Sequence, residues 1–241
     1  MHKILNLLFA VALLSFVGLP VAKADEVTIP EEPILISEQV LVCNSNRGLV
    51  VKRSDNSPTI FVLGCNDTIH IFPNEQIYKT WWSDFENISY VEGSFIASQE
   101  LEKNVTIRPG TYLVKQPSSP KVYAVEPGQV IRWIPDEATA EALYGINWNK
   151  IIIDVSDELF SDYTIGTDLT GTAYPNGVIG YLPGEGRVVY LDETSYYNLP
   201  GDTIASLRLN TEFLVPLSAT ILAAYTDGGD LVYDTMIAFP F

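Results

Sequence analysis

The sequence predicts a β-rich α+β fold made of tandem small units, each a β-hairpin plus a short helix plus a strand, followed by a strand-rich C-terminal segment. Three features predict it: a stretch that repeats at a fixed offset, alternating apolar runs broken by Pro and Gly, and a capped short helix after the hairpin.

The repeat comes first. Ser119-Pro120-Lys121-Val122-Tyr123-Ala124-Val125, followed by Val130-Ile131-Arg132-Trp133-Ile134-Pro135, matches Ser57-Pro58-Thr59-Ile60-Phe61-Val62-Leu63, followed by Thr68-Ile69-His70-Ile71-Phe72-Pro73, at an offset of 62. Upstream, Leu49-Val50-Val51-Lys52 faces Tyr112-Leu113-Val114-Lys115, one position out of register. A weaker third copy is expected at an offset of 56. It sets Val178-Ile179 against Val122-Tyr123, Asp192-Glu193 against Asp136-Glu137, and Leu199-Pro200-Gly201 against Leu143-Tyr144-Gly145.

Within the second copy each element has a local cause. Val122 to Val125 alternates as a strand does, and Glu126-Pro127-Gly128-Gln129 is turn chemistry, with Pro presetting φ and Gly tolerating a positive one. Val130 to Ile134 returns as the second strand, which Pro135 ends. Asp136 then caps a helix over Glu137 to Leu143, and Gly145 stops it. Trp148 to Val155 reads as extended, and Ser156 caps a helical turn at Asp157 to Phe160. A unit of roughly 55–60 residues is marginal alone, so neighbours are expected to pack together. Beyond the copies, strands are expected at Phe213 to Pro216, Thr220 to Tyr225, and Leu231 to Phe239 around an Asp227-Gly228-Gly229-Asp230 turn.

Lys3, the apolar run Ile4 to Val17, the breaker Gly18-Leu19-Pro20 and the small residues of Val21-Ala22-Lys23-Ala24 have the order of a secretory signal peptide, cleaved after Ala24. The domain plan is therefore signal peptide 1–24, leader 25–40, unit 1 at 41–106, unit 2 at 107–170 and a degenerate unit 3 at 171–241. Cleavage removes Lys3 and Lys23 but no acidic residue, moving the formal charge from −16 to −18. Such a chain repels nucleic acid and anionic lipid, and no transmembrane segment is expected after cleavage. Cys43 and Cys65, the only two cysteines, are expected to pair in an oxidising compartment, a closure that contributes about 3 kcal/mol.

The pattern P-x-V-Y-x-V-x-x-G-x-x-R-x-I-P, then a short helix, G-x-x-W and a closing strand, is carried by Pro120, Val122, Tyr123, Val125, Gly128, Arg132, Ile134, Pro135, Gly145, Trp148 and Val155. It resembles a tandem repeat of exported bacterial surface and cell-wall-associated proteins. The resemblance covers Arg108 to Gly166 well and Leu49 to Leu101 loosely. It implies location and architecture and brings no catalytic role. His70 stands where the pattern has Arg, so a ligand role for Arg132 would not extend to every unit.

Catalytic equipment is sparse. After cleavage the single histidine is His70, flanked by isoleucines in a predicted strand, which excludes a Ser-His-Asp or Cys-His system built on any other histidine. No metal and no cofactor are expected: zinc lacks its ligands, and Asp227-Gly228-Gly229-Asp230 lacks the rest of a calcium loop. Carboxylate pairs among Asp136, Glu137, Glu141, Asp154, Asp157 and Glu158 could serve a glycosidase, yet caps and solvated faces explain them too. Aromatics remain. Trp133 and Trp148 occupy apolar pattern positions and are expected in the core. Trp82 and Tyr144 are expected at the surface near the helix ends, and Tyr196-Tyr197 cannot both point inward, so these four and Arg132 are the candidate ligand contacts.

The sequence thus reads as a secreted or surface-displayed, non-enzymatic module of the bacterial envelope, contacting wall glycan or an envelope protein. The alternative is a secreted glycan hydrolase using an Asp/Glu pair. An outer-membrane barrel ending at Phe241 fits less well, because Pro240 breaks the last strand and each unit carries helical segments.

Overall fold

Short strands separated by Pro and Gly turns build three five-stranded sheets, and the chain threads all three in the same order. The structure is a computed structural model, describing residues 48–182, 184–206 and 209–231, all within one body, Val40–Phe241. In the first unit β1 (Val50–Arg53), β2 (Ile60–Leu63) and β3 (Thr68–Ile71) form an antiparallel meander. Helix α1 (Glu75–Trp81) crosses one face, and β4 (Ser89–Val91) joins β1 in parallel. Helix α2 (Gly93–Ala97) crosses the other face, and β5 (Glu100–Leu101) closes the opposite edge in parallel with β3.

The second unit repeats this with β6 (Leu113–Lys115), β7 (Val122–Glu126), β8 (Val130–Ile134), α3 (Glu137–Tyr144), β9 (Ile152–Asp154), α4 (Asp157–Phe160) and β10 (Thr164–Ile165). The third does so with β11 (Ile179–Tyr181), β12 (Val188–Asp192), β13 (Ser195–Asn198), α5 (Gly201–Ser206), β14 (Val215–Pro216), α6 (Ala219–Leu222) and β15 (Thr226–Asp230). The architecture is the β-rich α+β fold of repeated units that the sequence predicts. The hairpin, the Asp136 cap donated to by the Thr139 amide at 2.7 Å, the Gly145 stop and the Ser156 cap all stand as read.

The third copy needs a correction. Its elements start 62 to 66 residues after those of the second, not 56. Leu199-Pro200 stands opposite Ile134-Pro135, and Asp192 opposite Glu126. A longer connector before β11 lengthens the offset, and a two-residue turn between β12 and β13 shortens it again. Three further expectations fail with it. Thr220 to Tyr225 is mostly the helix α6 and its end, and Asp227 to Asp230 is strand β15 and not a turn. The stretch Trp148 to Val155 begins as a 3-10 turn at Trp148–Ile151 before it extends into β9, while the strand expected at Phe213 to Pro216 is found as β14 after a 3-10 turn at Thr211–Phe213. Residues beyond 231, including the expected strand to Phe239, lie outside the described residues, as do the signal peptide and leader.

Because successive strand residues point to opposite faces, every sheet has two apolar faces to cover. Val50, Val62 and Phe72 on the α1 face of sheet one share a core with Val114, Tyr123, Val125 and Ile131 on the α4 face of sheet two. Leu113, Ala124 and Ile134 on the α3 face of sheet two share the next core with Val189, Leu191 and Val215 on the α6 face of sheet three. The first helix of each unit thus packs against the second-helix face of the unit that follows. The outer faces keep their own small cores under α2 and α5.

The connector from Val105 to Thr111 is buried throughout, so its backbone groups need partners inside the protein. Val105 donates to the Ile71 carbonyl at 2.8 Å and Gly110 to the Val125 carbonyl at 3.0 Å. The Ile107 amide donates to the Tyr163 hydroxyl, the Arg108 amide to Thr80 Oγ1, and the Trp81 indole to the Thr106 carbonyl.

Candidate functional site

Two clefts lie at the same place in units 1 and 2, between the start of the hairpin's second strand, the end of its third, and the first turn of the helix. In unit 2 the wall is Pro120, Trp133, Pro135 and Trp148, with Lys121, Asp136 and Glu137 on the polar side, enclosing about 290 Å³. In unit 1 the wall is Pro58, Ile71, Pro73 and Phe85, with Tyr90, Lys52 and Glu75 beside it, enclosing about 600 Å³. The prolines are paired one for one at the repeat offset. Each ends or opens a strand because it cannot donate to the ladder, so the strand ends splay and leave a recess beside the helix.

Trp133 and Trp148 are half-buried and do not sit wholly in the core as expected. Their other faces line the cleft. Lys121 places its ammonium 4.6 Å from the Trp133 ring centroid, a cation–π contact. Asp136 is spent as the helix cap, and the Thr139 amide and side chain hold its carboxyl below the usual range.

The sequence-chosen residues are placed differently. Trp82 is 7% exposed and packs on Phe72 and Tyr78, and Tyr144 is 6% exposed in the core shared by units 2 and 3. Neither is a surface platform. Both close the first helix of their unit on the face that the next unit covers, so the rings turn inward, and burial pushes the Tyr144 phenol far up. Tyr196 and Tyr197 do take opposite faces, but each packs on a core, Tyr196 with units 2 and 3 and Tyr197 with the outer core of unit 3.

Arg132 is committed internally. Its Nε donates to the Thr167 carbonyl at 2.8 Å, Nη2 to the Asp168 carbonyl at 3.3 Å, and Nη1 to Glu126 at 3.1 Å. His70, at the same place in unit 1, is buried and donates from Nδ1 to the Lys103 carbonyl at 2.9 Å. The ring of Tyr197 lies over Gly228 in unit 3. His70 and Arg132 clasp the chain where it leaves the last edge strand, and Tyr197 covers the middle of that strand, β15. The position is structural in each unit, with three chemistries.

Cys65 is buried and is not a free thiol. Cys43 lies outside the described residues. Among the described residues no group of three or more His, Cys, Asp or Glu could hold a metal ion, and no helix is long and apolar enough to cross a membrane.

Nothing in the sequence marked the clefts, because their walls come from four segments up to 38 residues apart. The readable signal was the Pro pair of each unit with an aromatic at or after the helix end.

No protein-family model matches the chain, and no curated protein matches it. Among solved structures, one similar chain belongs to the periplasmic assembly from the ESX-5 inner membrane complex. It is 13% identical at a TM-score of 0.21, over 83% of this chain and 63% of that one. Another, from an intact ESX-5 inner membrane complex, is 13% identical at a TM-score of 0.20, over 82% and 54%. This chain therefore spans less than two thirds of either. At such TM-scores the likeness carries no argument.

Proposed function

We propose that the protein is an exported, non-catalytic binding module of the bacterial cell envelope, whose stacked units present an aromatic cleft to wall glycan. The observation that carries this is the unit 2 cleft, where two half-buried tryptophans meet one lysine and two carboxylates. Indole faces suit the C–H faces of sugar rings, while an ammonium and a carboxylate supply a donor and an acceptor for hydroxyls.

Export, with cleavage after Ala24 and a Cys43–Cys65 bridge, belongs to the same reading, as does the resemblance to repeats of envelope proteins. The acidic balance, −16 over the whole chain, opposes polyanionic ligands. The non-catalytic reading draws on Asp136. A glycosidase acid needs a raised pKa, and this carboxyl is lowered by its capping bonds.

The test is retention of the mature chain on purified peptidoglycan and on immobilised neutral glycans. Trp133→Ala with Trp148→Ala is expected to weaken retention about tenfold or more, roughly 1.4 kcal/mol, with the circular dichroism unchanged. Retention that ignores both tryptophans would remove the cleft from the reading. Glycan cleavage abolished by Asp136→Asn or Glu137→Gln would establish the hydrolase instead. A mass change of two hydrogens on reduction of the mature chain is expected from the bridge.

A further inference from the structure

Resting on the glycan-binding reading, we propose that unit 1 holds a second and larger saccharide site, the cleft walled by Phe85 and Tyr90. Two differences between equivalent positions set it apart. The lysine that lies over Trp133 in unit 2, Lys121, is replaced at its position by Thr59, and the ammonium that lies over a wall ring comes instead from α1, where Lys79 stands 4.5 Å from the Phe85 centroid. In unit 2, Lys115 stands across from Asp154 and pairs with it at 3.7 Å. In unit 1 the same pair of positions holds Lys52 and Tyr90. The carboxylate is gone, and a ring 70% exposed takes its place beside the lysine. The cleft is about 600 Å³ against about 290 Å³ in unit 2.

What enters it is set by this chemistry. Phe85 is stacked on Tyr78 at 4.6 Å with the rings 17° apart and carries the Lys79 ammonium 4.5 Å from its centroid, which fixes its orientation in the wall. Tyr90 stands free on an edge strand as a second ring. Lys52 can donate to hydroxyl or acetamido oxygens, and Glu75, in the first turn of α1, can accept from hydroxyls. Two cations, Lys52 and Lys79, one anion and the exposed ring of Tyr90 suit a neutral, hydroxyl-dense pyranoside. They suit a polyanion poorly, since the chain's net charge opposes it. At the equivalent place in unit 3 the wall residue is replaced, since Asn198 takes the position of Ile71 and Trp133 and donates to Asp230 at 2.7 Å.

The experiment is calorimetric titration of the mature chain with the N-acetylglucosamine tetramer, with tetralysine as the competing class. Two sites are expected in the wild type. Tyr90→Ala, at an exposed position that folding does not need, removes one and leaves the other. Trp148→Ala does the converse, and Lys121→Thr tightens the unit 2 site several-fold by uncovering Trp133. One site, lost in Trp148→Ala and untouched by Tyr90→Ala, overturns the second site and leaves the glycan reading standing. No saccharide binding overturns both, as does tetralysine binding that depends on Tyr90 while the saccharide does not bind.

Discussion

At Gly110 the fold turns on a single missing carbon. The residue sits at φ +70°, and a β-carbon there would lie 2.1 Å from the Gly177 carbonyl oxygen. Gly48, Gly110 and Gly177 open the three units with positive φ, and each donates its amide to the end of its own second strand, at the Leu63, Val125 and Leu191 carbonyls. The turn demands the left-handed region, and the neighbour is backbone that cannot swing aside. Gly110→Ala is therefore expected to cost about 2 kcal/mol or more, read as a fall in the denaturant midpoint. A variant as stable as the wild type would show that the unit 2–unit 3 approach is looser than drawn. Two residues earlier, Arg108 is a different kind of extreme: its guanidinium is fully buried against the Trp81 ring at 5.9 Å, and burial brings its pKa down to about 10. Its Nη1 has no hydrogen-bond partner among the described residues.

Elements in this chain are short, and what holds them is as much clasp as ladder. The β7–β8 hairpin shows it. Glu126 accepts from Arg132 at 3.1 Å and from the Asn176 amide at 3.0 Å, so one carboxylate ties the hairpin to the connector into unit 3. Its side chain is only 12% exposed. Glu126→Ala leaves Arg132 and an amide without their acceptor and is expected to cost about 2–3 kcal/mol. Glu126→Gln, which keeps an acceptor for Asn176, should recover part of that in thermal melts. Equal losses in the two variants would mean the amide bond contributes nothing. The same elements explain what could be read from the residues alone. The hairpin, its Pro135 stop, the Asp136 cap and Gly145 are local, so side-chain type and spacing were enough. The edge strands β9 and β14 fall inside stretches read as extended, Trp148 to Val155 and Phe213 to Pro216, whereas β4, β5 and β10 were illegible, being two or three residues long and paired far along the chain, as β5 is with β3. The third unit was mis-registered because its apolar strands match several offsets. The glycines and the Pro73, Pro135, Pro200 series fix the true one, and Ser218 at the place of Ser156 marks α6 as a helix. Trp82 and Tyr144 were misjudged for a different reason: what buries them is the next unit, which no local pattern shows.

Across the whole molecule, the shared cores forbid independent units. A first-helix face closed by the following unit's second-helix face makes stability a matter of the stack, as in other arrays of small repeats. Tyrosines report on it. Burial pushes Tyr163 up to about 12 and raises Tyr144 further, each in a core shared by two units, and pushes Tyr190 up to about 12 in the outer core of unit 3. For a phenol the folded pKa then lies above the unfolded value of 10.0, so the neutral form is the one the fold favours. That contribution is complete below about pH 10 and is lost as the pH rises through about 12. The protein is expected to melt at falling temperature over this alkaline window, with tyrosinate absorbance and near-ultraviolet dichroism changing together in one transition, because no unit can open without uncovering its neighbour. Tyr163→Phe should be less stable at neutral pH, having lost the bond from the Ile107 amide, yet should lose stability less steeply with alkali. Buried phenols that ionise while the dichroism stays native, or units that melt in separate steps, would show that the stack is not one cooperative body.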